Sequence, residues 1–302
     1  MRKIIVLTIL LFVHSGGARP RYVTTIHPFQ EILKAVVGDH GEVHRMLPPG
    51  ASPHTYELRP SDIRHVEAAK ALFFGSPTLD AWALKFNNRN RIELIELLPE
   101  DFLLYFQSPE RDKKREATDS DVPASHHHRH GGAIGVDPHF WTDPLTVKAL
   151  LPALTDTLCS LDPDGCEIYR KNSAKFAKHL ESLYVKIDEK LIPVRGEAVM
   201  LSHPFFQYFL KRFGLRLVDI IEIIPGKEPT PRQIKDIIQQ VQRENVKAIF
   251  DHPQLPDRAA KLVAEAAGLK VYELDPLGGV SGRQTYDELL LYNVQVLLEA
   301  LQ

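Results

Sequence analysis

The sequence has few cysteines, no excess of basic residues and no apolar stretch long enough to cross a membrane. Its 302 residues include 2 cysteines, 37 lysines and arginines, and 39 aspartates and glutamates. A chain with this charge balance lacks the basic surface that a nucleic-acid partner requires. The motifs His-Glu-x-x-His and Gly-x-Ser-x-Gly are also missing, which argues against the hydrolases that carry them.

The amino terminus has the pattern of a secretory signal peptide over residues 1–18. Arg2 and Lys3 supply the positive charge, and residues 4–13 form the apolar run. Residues 16–18, Gly-Gly-Ala, give the small-residue cleavage site. Because no cysteine follows the apolar run, the bacterial lipoprotein pattern is missing. We therefore expect export to a periplasm in soluble form.

The two cysteines, Cys159 and Cys166, are separated by six residues with strong turn chemistry, Ser-Leu-Asp-Pro-Asp-Gly. In an oxidising compartment they can form a disulfide, because a short loop between helices brings the two α carbons close enough. Two free, partly buried thiols are the alternative. Neither cysteine is a good metal ligand candidate, because the chain has no other thiol.

Three histidines lie beside prolines in separate parts of the chain. His54 lies in the segment 48–57, which contains three prolines, while His139 follows a proline and His203 precedes one. Neutral imidazole is the commonest protein ligand for zinc, and a fixed site favours ligands on rigid backbone. Each histidine alone would be an ordinary turn residue. Together they predict one shared metal.

The segment 107–135 is polar and charged, and it has too little apolar content to pack, so we expect a mobile loop. It contains four clustered histidines, namely His126, His127, His128 and His130. Such a tract in a secreted protein is typical of accessory metal capture. An internal purification tag is the alternative interpretation.

The remainder of the chain alternates predicted strands and helices in two halves, which indicates an α/β fold with two Rossmann-like lobes and parallel sheets. A helical pattern of about 25 residues, 167–191, predicts a rigid connection of about 37 Å. We divide the chain into an N-terminal lobe at 19–165, a linking helix at 166–192 and a C-terminal lobe at 193–302. His54, His203, His252 and Asp275 all follow predicted strands, where open parallel sheets bind ligands.

Four motifs resemble those of the metal-binding solute receptors of bacterial ABC importers. They are Pro-Gly-Ala-Ser-Pro-His at 49–54, Asp-Pro-His-Phe-Trp-Thr-Asp-Pro at 137–144, Ser-His at 202–203, and Leu-Asp-Pro-Leu-Gly at 274–278. The resemblance covers nearly the whole mature chain. It implies a metal site in the cleft between the lobes, with a membrane permease as the partner.

Carried over by motif, the metal ligands are His54, His139, His203 and Asp275. Manganese-type members of this family usually place a glutamate at the position of His203, so three imidazoles and a carboxylate indicate a zinc-type receptor. Manganese or iron is the alternative cargo.

Several other residues are expected near this site. Glu57 and Asp143 are candidate acceptors for the ring N–H groups of the ligands, with surface or helix-capping roles as alternatives. His252 stands where relatives often carry glutamate, and His27 where they usually lack histidine. Either is an alternate or supporting ligand, or else an ordinary loop histidine.

Two other classes of protein fit parts of this pattern. A secreted zinc hydrolase would use three histidines and leave the fourth position open to water, but a carboxylate from Asp275 would close that position. An adhesin or extracellular metal buffer on the same fold would share every ligand. We expect a monomeric receptor, not an enzyme.

Overall fold

The computed structural model describes residues 19–87, 89–107, 133–222 and 229–302. The predicted signal peptide at 1–18 and the histidine tract at 126–130 lie outside the described residues. The strands are β1 (Arg21–Thr24), β2 (Glu42–Arg45), β3 (Ala71–Phe74), β4 (Arg91–Glu93), β5 (Tyr105–Gln107), β6 (Ala133–Val136), β7 (Ala198–Leu201), β8 (Arg216–Ile220), β9 (Ala248–Asp251) and β10 (Val271–Glu273). The α-helices are α1 (His27–Val37), α2 (Pro60–Glu67), α3 (Pro77–Asp80), α4 (Pro144–Leu161), α5 (Cys166–Leu191), α6 (Gln207–Arg212), α7 (Pro231–Arg243), α8 (Arg258–Ala267) and α9 (Tyr286–Leu301).

Two four-stranded parallel sheets form the centres of two lobes. The order is β2-β1-β3-β4 in the first lobe and β10-β9-β7-β8 in the second. All residues of the central strands β3, β7 and β9 are buried, as expected for strands covered by helices on both faces. The predicted α/β fold with two parallel sheets is confirmed.

Capping side chains mark where two of the helices begin. Thr230 accepts a hydrogen bond from the backbone N–H of Gln233 and precedes Pro231 at the start of α7. Thr285 and Glu288 form a reciprocal capping arrangement at the start of α9. These side chains satisfy backbone N–H groups that have no partner within the helix.

A small antiparallel sheet was not predicted from the sequence. β5 pairs with β6, with Tyr105 opposite Val136 and Gln107 opposite Ala133. The prediction of a loop across 107–135 was therefore wrong at both ends, which belong to these strands. The pairing joins positions distant in sequence, so local polarity did not reveal it.

The helix α5 links the two sheets. It contains 26 residues, which gives a length of about 39 Å at 1.5 Å per residue. At its start, Cys166 forms a disulfide with Cys159 of α4, and the two α carbons are 4.6 Å apart. The predicted disulfide is confirmed, and it joins the first turn of α5 to the last turns of α4.

One apolar core runs through both lobes. Phe29 of the first lobe, Leu180 of α5 and Phe206 of the second lobe belong to the same cluster of buried side chains. The C-terminal helix α9 packs against α1 and α5, so the end of the chain contacts the first lobe. Among the described helices, none is both long and apolar enough to span a membrane.

Candidate metal centre

Three imidazole rings meet between the lobes. A ligand nitrogen from each of His54, His139 and His203 lies within 4.8 Å of the other two. The ring centroids of His54 and His203 are 5.2 Å apart, and His139 lies 5.9 Å from His54 and 5.8 Å from His203. Nitrogens at this separation can approach one ion with small ring rotations, since zinc–nitrogen bonds measure about 2.0–2.1 Å.

The loop between β2 and α2 presents His54. Trp82 donates its indole N–H to the carbonyl oxygen of Pro53 at 2.8 Å, and the hydroxyl of Ser52 accepts from the backbone N–H of His54 at 3.3 Å. Pro53 and Ser52 are themselves buried. Prolines and these two hydrogen bonds hold the loop with its imidazole facing the cleft.

Asp137 orients His139. One carboxylate oxygen of Asp137 accepts from the backbone N–H of His139 at 2.9 Å and lies 2.7 Å from its Nδ1. Because a carboxylate only accepts, Nδ1 carries the proton and Nε2 keeps its lone pair. The second carboxylate oxygen accepts from Gln207 of the other lobe at 2.8 Å. His139 therefore has the tautomer that a metal requires.

His203 follows β7 at the carboxyl edge of the second sheet. Its Nδ1 lies 3.3 Å from the carbonyl oxygen of Glu222, which fixes the proton on Nδ1. Its Nε2 is buried, without a hydrogen-bond partner among the described residues. A buried polar atom without a partner is costly, and a metal ion in the cleft would give this nitrogen a ligand bond. The residues present thus fit a metal.

Burial keeps the rings of His54 and His203 neutral. It lowers the pKa of His54 to about 3 and, together with the neighbouring imidazoles, lowers the pKa of His203 well below its ordinary value. A neutral imidazole has a lone pair available for a metal, so the rings need not release protons before binding near neutral pH.

The space between the rings is very small. The cavity lined by the three histidines has a volume of about 10 Å³, which corresponds to about one water molecule. A larger groove of about 490 Å³ lies beside the loop 51–59 and is not lined by the rings. The site between the lobes therefore has room for a single ion and not for an organic substrate.

Asp275, like His252, lies outside the group of three histidine nitrogens that lie within 4.8 Å of one another. Its Oδ1 accepts hydrogen bonds from Gln254 at 2.8 Å and from the backbone N–H groups of Leu277 and Gly278 at 2.9 and 3.1 Å. Its Oδ2 is paired with the Arg283 guanidinium at 3.0 Å. The sequence predicted that Asp275 would lie with the three histidines. In the structure its carboxylate instead binds the loop that follows β10. Its role as a ligand stays a prediction.

Two expected acceptors have other positions. Asp143 caps α4 through Leu145 and Thr146 and pairs with Arg212, so its capping alternative is the correct one. Glu57 is exposed and, among the described residues, has no hydrogen bond to His54, His139 or His203. Asp137 performs the role proposed for them, and its position two residues before His139 was the signal that sequence reasoning did not use.

His27 and His252 have different surroundings. His27 is 7% exposed at the start of α1, where a side chain on Gly279 would come within 3.1 Å of its ring. Gly279 has a φ of 75°, so the close approach and the backbone both require glycine. His252 lines the same small cavity as the three ligand candidates.

Two α/β lobes with parallel sheets, bridged by one long helix and with an ion-sized site between them, define the class of solute-binding proteins that hold a metal ion. A family model described as "ZnuA: Zinc-uptake complex component A periplasmic" matches residues 23–300. The chain belongs to this family, and the resemblance stated from its motifs is confirmed.

Named relatives and a solved structure agree with this assignment. The high-affinity zinc uptake system protein ZnuA of Bacillus subtilis is 23% identical over 292 residues, covering 95% of this chain and 89% of that protein. Zinc-binding protein AdcA of Streptococcus pyogenes is 24% identical over 283 residues, which are 92% of this chain and 55% of AdcA, so the chain spans about half of that relative. The laminin-binding protein Lmb of Streptococcus agalactiae, described as bifunctional with adhesin and metal transporting activity, has 29% identity and a TM-score of 0.73, covering 94% of this chain and 100% of Lmb.

Proposed function

We propose that this protein captures Zn²⁺ outside the cytoplasm and delivers it to the membrane permease of an ABC-type importer. The convergence of His54, His139 and His203 between the lobes carries the proposal, and membership of the zinc-uptake family supports it. The family consists of uptake components, so the chain is a binding protein and not the secreted zinc hydrolase considered above.

Chelator competition tests the ligand assignment. Single changes of His54, His139 and His203 to glutamine should each weaken zinc binding by about 100-fold or more, because each removes one bond from a small chelate. The matched control is His179→Gln, which alters an exposed histidine of α5. Wild-type affinity in any of the three ligand variants would remove that residue from the site.

The ligand atoms of the proposed site predict which metal ion the protein carries. Imidazole nitrogens suit zinc, whereas manganese prefers carboxylate and carbonyl oxygens. Manganese or iron remains the alternative, since almost any such site binds zinc in the test tube. Metal content after release from native cells grown without zinc or without manganese separates these cargoes. Zinc in the protein from manganese-poor cells, with little metal in the protein from zinc-poor cells, supports the proposal, and protein loaded with manganese in the zinc-poor cells contradicts it.

The segment 107–135 is proposed as an accessory zinc-capture region through His126, His127, His128 and His130. The polar composition of this segment predicts that metal binding would cost conformational entropy, so the affinity of its histidines should be lower than that of the cleft. Deleting residues 125–131 should remove weak sites and leave one tight site. Loss of the tight site would refute this assignment.

Export, partner and domain roles complete the proposal. Residues 1–18 would direct export, and the mature protein would act as a monomer in the periplasm. Residues 19–165 and 193–302 would form the two lobes around the linking helix at 166–192, and the permease would contact both. Sizing by light scattering tests the monomer, and sequencing the amino terminus of the exported protein tests the cleavage site.

A second role as an adhesin rests on one observation, the likeness to Lmb. Binding to immobilised laminin, measured with zinc and after chelation, tests it. An adhesin role predicts saturable binding, and the receptor role alone predicts none.

A further inference from the structure

A fourth histidine faces the same cavity. His252 directly follows β9, is 5% exposed and lines the cavity together with His54, His139 and His203. Its ring centroid lies 5.7 Å from that of His203, and Phe205 packs against it with ring centroids 4.6 Å apart. Its Nε2 is buried and has no hydrogen-bond partner among the described residues, so two buried imidazole nitrogens here, those of His203 and His252, lack a partner.

Gln254 fixes the tautomer of His252. The amide nitrogen of Gln254 donates to Asp275 Oδ1 at 2.8 Å, which assigns the opposite end of the amide as Oε1. This Oε1 lies 3.1 Å from the Nδ1 of His252. An amide oxygen only accepts, so Nδ1 must carry the proton. Nε2 therefore keeps the lone pair that a metal ligand needs, as in His139 and His203.

The Asp275 carboxylate is less suited to binding a cation. Its Oδ1 already accepts three hydrogen bonds, and its Oδ2 faces the positive Arg283 guanidinium at 3.0 Å. A divalent ion at Oδ2 would have to displace or approach that charge. Asp275 instead positions His252, because it holds the amide of Gln254 in the orientation that fixes the His252 proton.

We propose that His252, through Nε2, supplies the fourth ligand of the cleft, and that Asp275 acts behind it as a positioning residue. This inference rests on the proposed zinc site and names its specificity-determining ligand. A set of four neutral imidazoles leaves the bound ion without a charged oxygen donor. Such a site favours zinc, cobalt and copper over manganese more strongly than three imidazoles and a carboxylate would.

Competition with a chelator compares His252→Gln with Asp275→Asn, and His179→Gln serves as the control. His252→Gln should weaken zinc binding by about 100-fold, as expected for a lost ligand, and Asp275→Asn by about tenfold, as expected for a supporting residue. The opposite order would overturn the inference. Melting of the zinc-free variants identifies any that fail to fold.

A spectroscopic test does not depend on affinity. With Co²⁺ bound, His252→Cys should show a new thiolate-to-cobalt charge-transfer band, because thiolate replaces imidazole at the metal. X-ray absorption of the zinc-loaded wild type should fit four imidazoles. A variant that binds cobalt without the band, or a fit with three imidazoles and an oxygen, contradicts the inference.

His203→Gln separates the two proposals. If it abolishes tight binding while His252→Gln does not, the zinc site stands and the fourth-ligand inference fails. If His203→Gln also leaves binding unchanged, both residues are removed from the site. The proposed function itself fails if His54→Gln and His139→Gln likewise bind zinc as the wild type does.

Discussion

The segment 137–143 and the loop 48–59 each present one ligand candidate, but they are held in different ways. The first is tied to the second lobe, because Gln207 and Arg212 of α6 donate to Asp137 and Asp143. The loop is held within the first lobe, by Trp82 and by a hydrogen bond from Tyr56 to Asp62 at 2.9 Å. The position of His139 is therefore fixed by contacts with both lobes. The position of His54 depends only on contacts within the first lobe and on the backbone of its own loop.

Acid should destabilise the folded protein through the loop that carries His54. An unfolded histidine binds a proton near pH 6.5, but folded His54 resists protonation until about pH 3. The unfolded state thus binds more protons, and the free energy of unfolding falls as pH drops below about 6.5, by up to about 1.4 kcal/mol per pH unit for each such ring. Chemical denaturation of zinc-free protein between pH 7.5 and 5.5 measures this slope.

The control for the acid experiment is His54→Gln. It removes one depressed histidine, so its stability should fall less steeply with acid than that of the wild type. Equal slopes would show that His54 titrates in the folded protein as it does in the unfolded chain.

Replacing Asp137 should weaken zinc binding through the segment 137–143, which carries His139. Asp137→Ala deletes the acceptor for the ring of His139 and the tie to Gln207, so zinc affinity should fall by about 10- to 100-fold. Isothermal competition titration measures the loss. Asp156→Ala, which changes an exposed carboxylate on α4, should bind like the wild type, and equal affinity in both variants would refute the role of Asp137.

Changing the two tryptophans tests separately how the loop 48–59 and the segment 137–143 are held. Trp82 donates to Pro53 within the first lobe, and Trp141 donates at 2.7 Å to the carbonyl oxygen of Pro276 in the second lobe. Each change to phenylalanine should cost about 1–3 kcal/mol by leaving a carbonyl oxygen unpaired. Trp82→Phe should act on the loop alone, and Trp141→Phe on the contact between lobes.

Hydrogen exchange separates these outcomes. In Trp82→Phe, faster exchange should appear in residues 48–59, whereas in Trp141→Phe it should appear at 274–279 and in the segment 137–143. An identical exchange pattern in the two variants would show that the loop and the lobe contact form one cooperative unit.

Zinc should change the overall dimensions least of all. The helix α5, the shared apolar core and the contacts of α6 oppose hinge opening, so metal should order the loop and shift the lobes slightly. We expect the radius of gyration from X-ray scattering to differ by less than about 1 Å with and without zinc. A change of many ångströms would show that α5 is not a rigid connection.

Sequence reasoning predicted the alternation of elements because buried parallel strands and amphipathic helices leave strong periodic patterns. The helical pattern predicted at 167–191 is α5 (Cys166–Leu191), which begins one residue earlier. The loop predicted at 107–135 instead ends in the strands β5 and β6. Pairing between positions distant in sequence leaves no local periodic pattern.

The site was predictable in its histidines but not in its supporting contacts. The prolines beside His54, His139 and His203 are local signals. The choice between Asp275 and His252 depends on the orientation of the Gln254 side chain and on the charge of Arg283, which are set by tertiary packing. The supporting role of Asp137 rather than Asp143 depends likewise on which carboxylate faces a ring and which begins a helix.

The placement of the two tryptophans has an optical consequence. They are the only tryptophans in the chain. Trp82 donates a hydrogen bond to Pro53, the residue before His54, and the ring centroid of Trp141 lies 5.3 Å from that of His139. Any change in the electric field or rigidity of the cleft acts on both indoles and on no other. Intrinsic emission should therefore report arrival and release of the ion without a label, and the single-tryptophan variants would assign the signal to one side of the cleft.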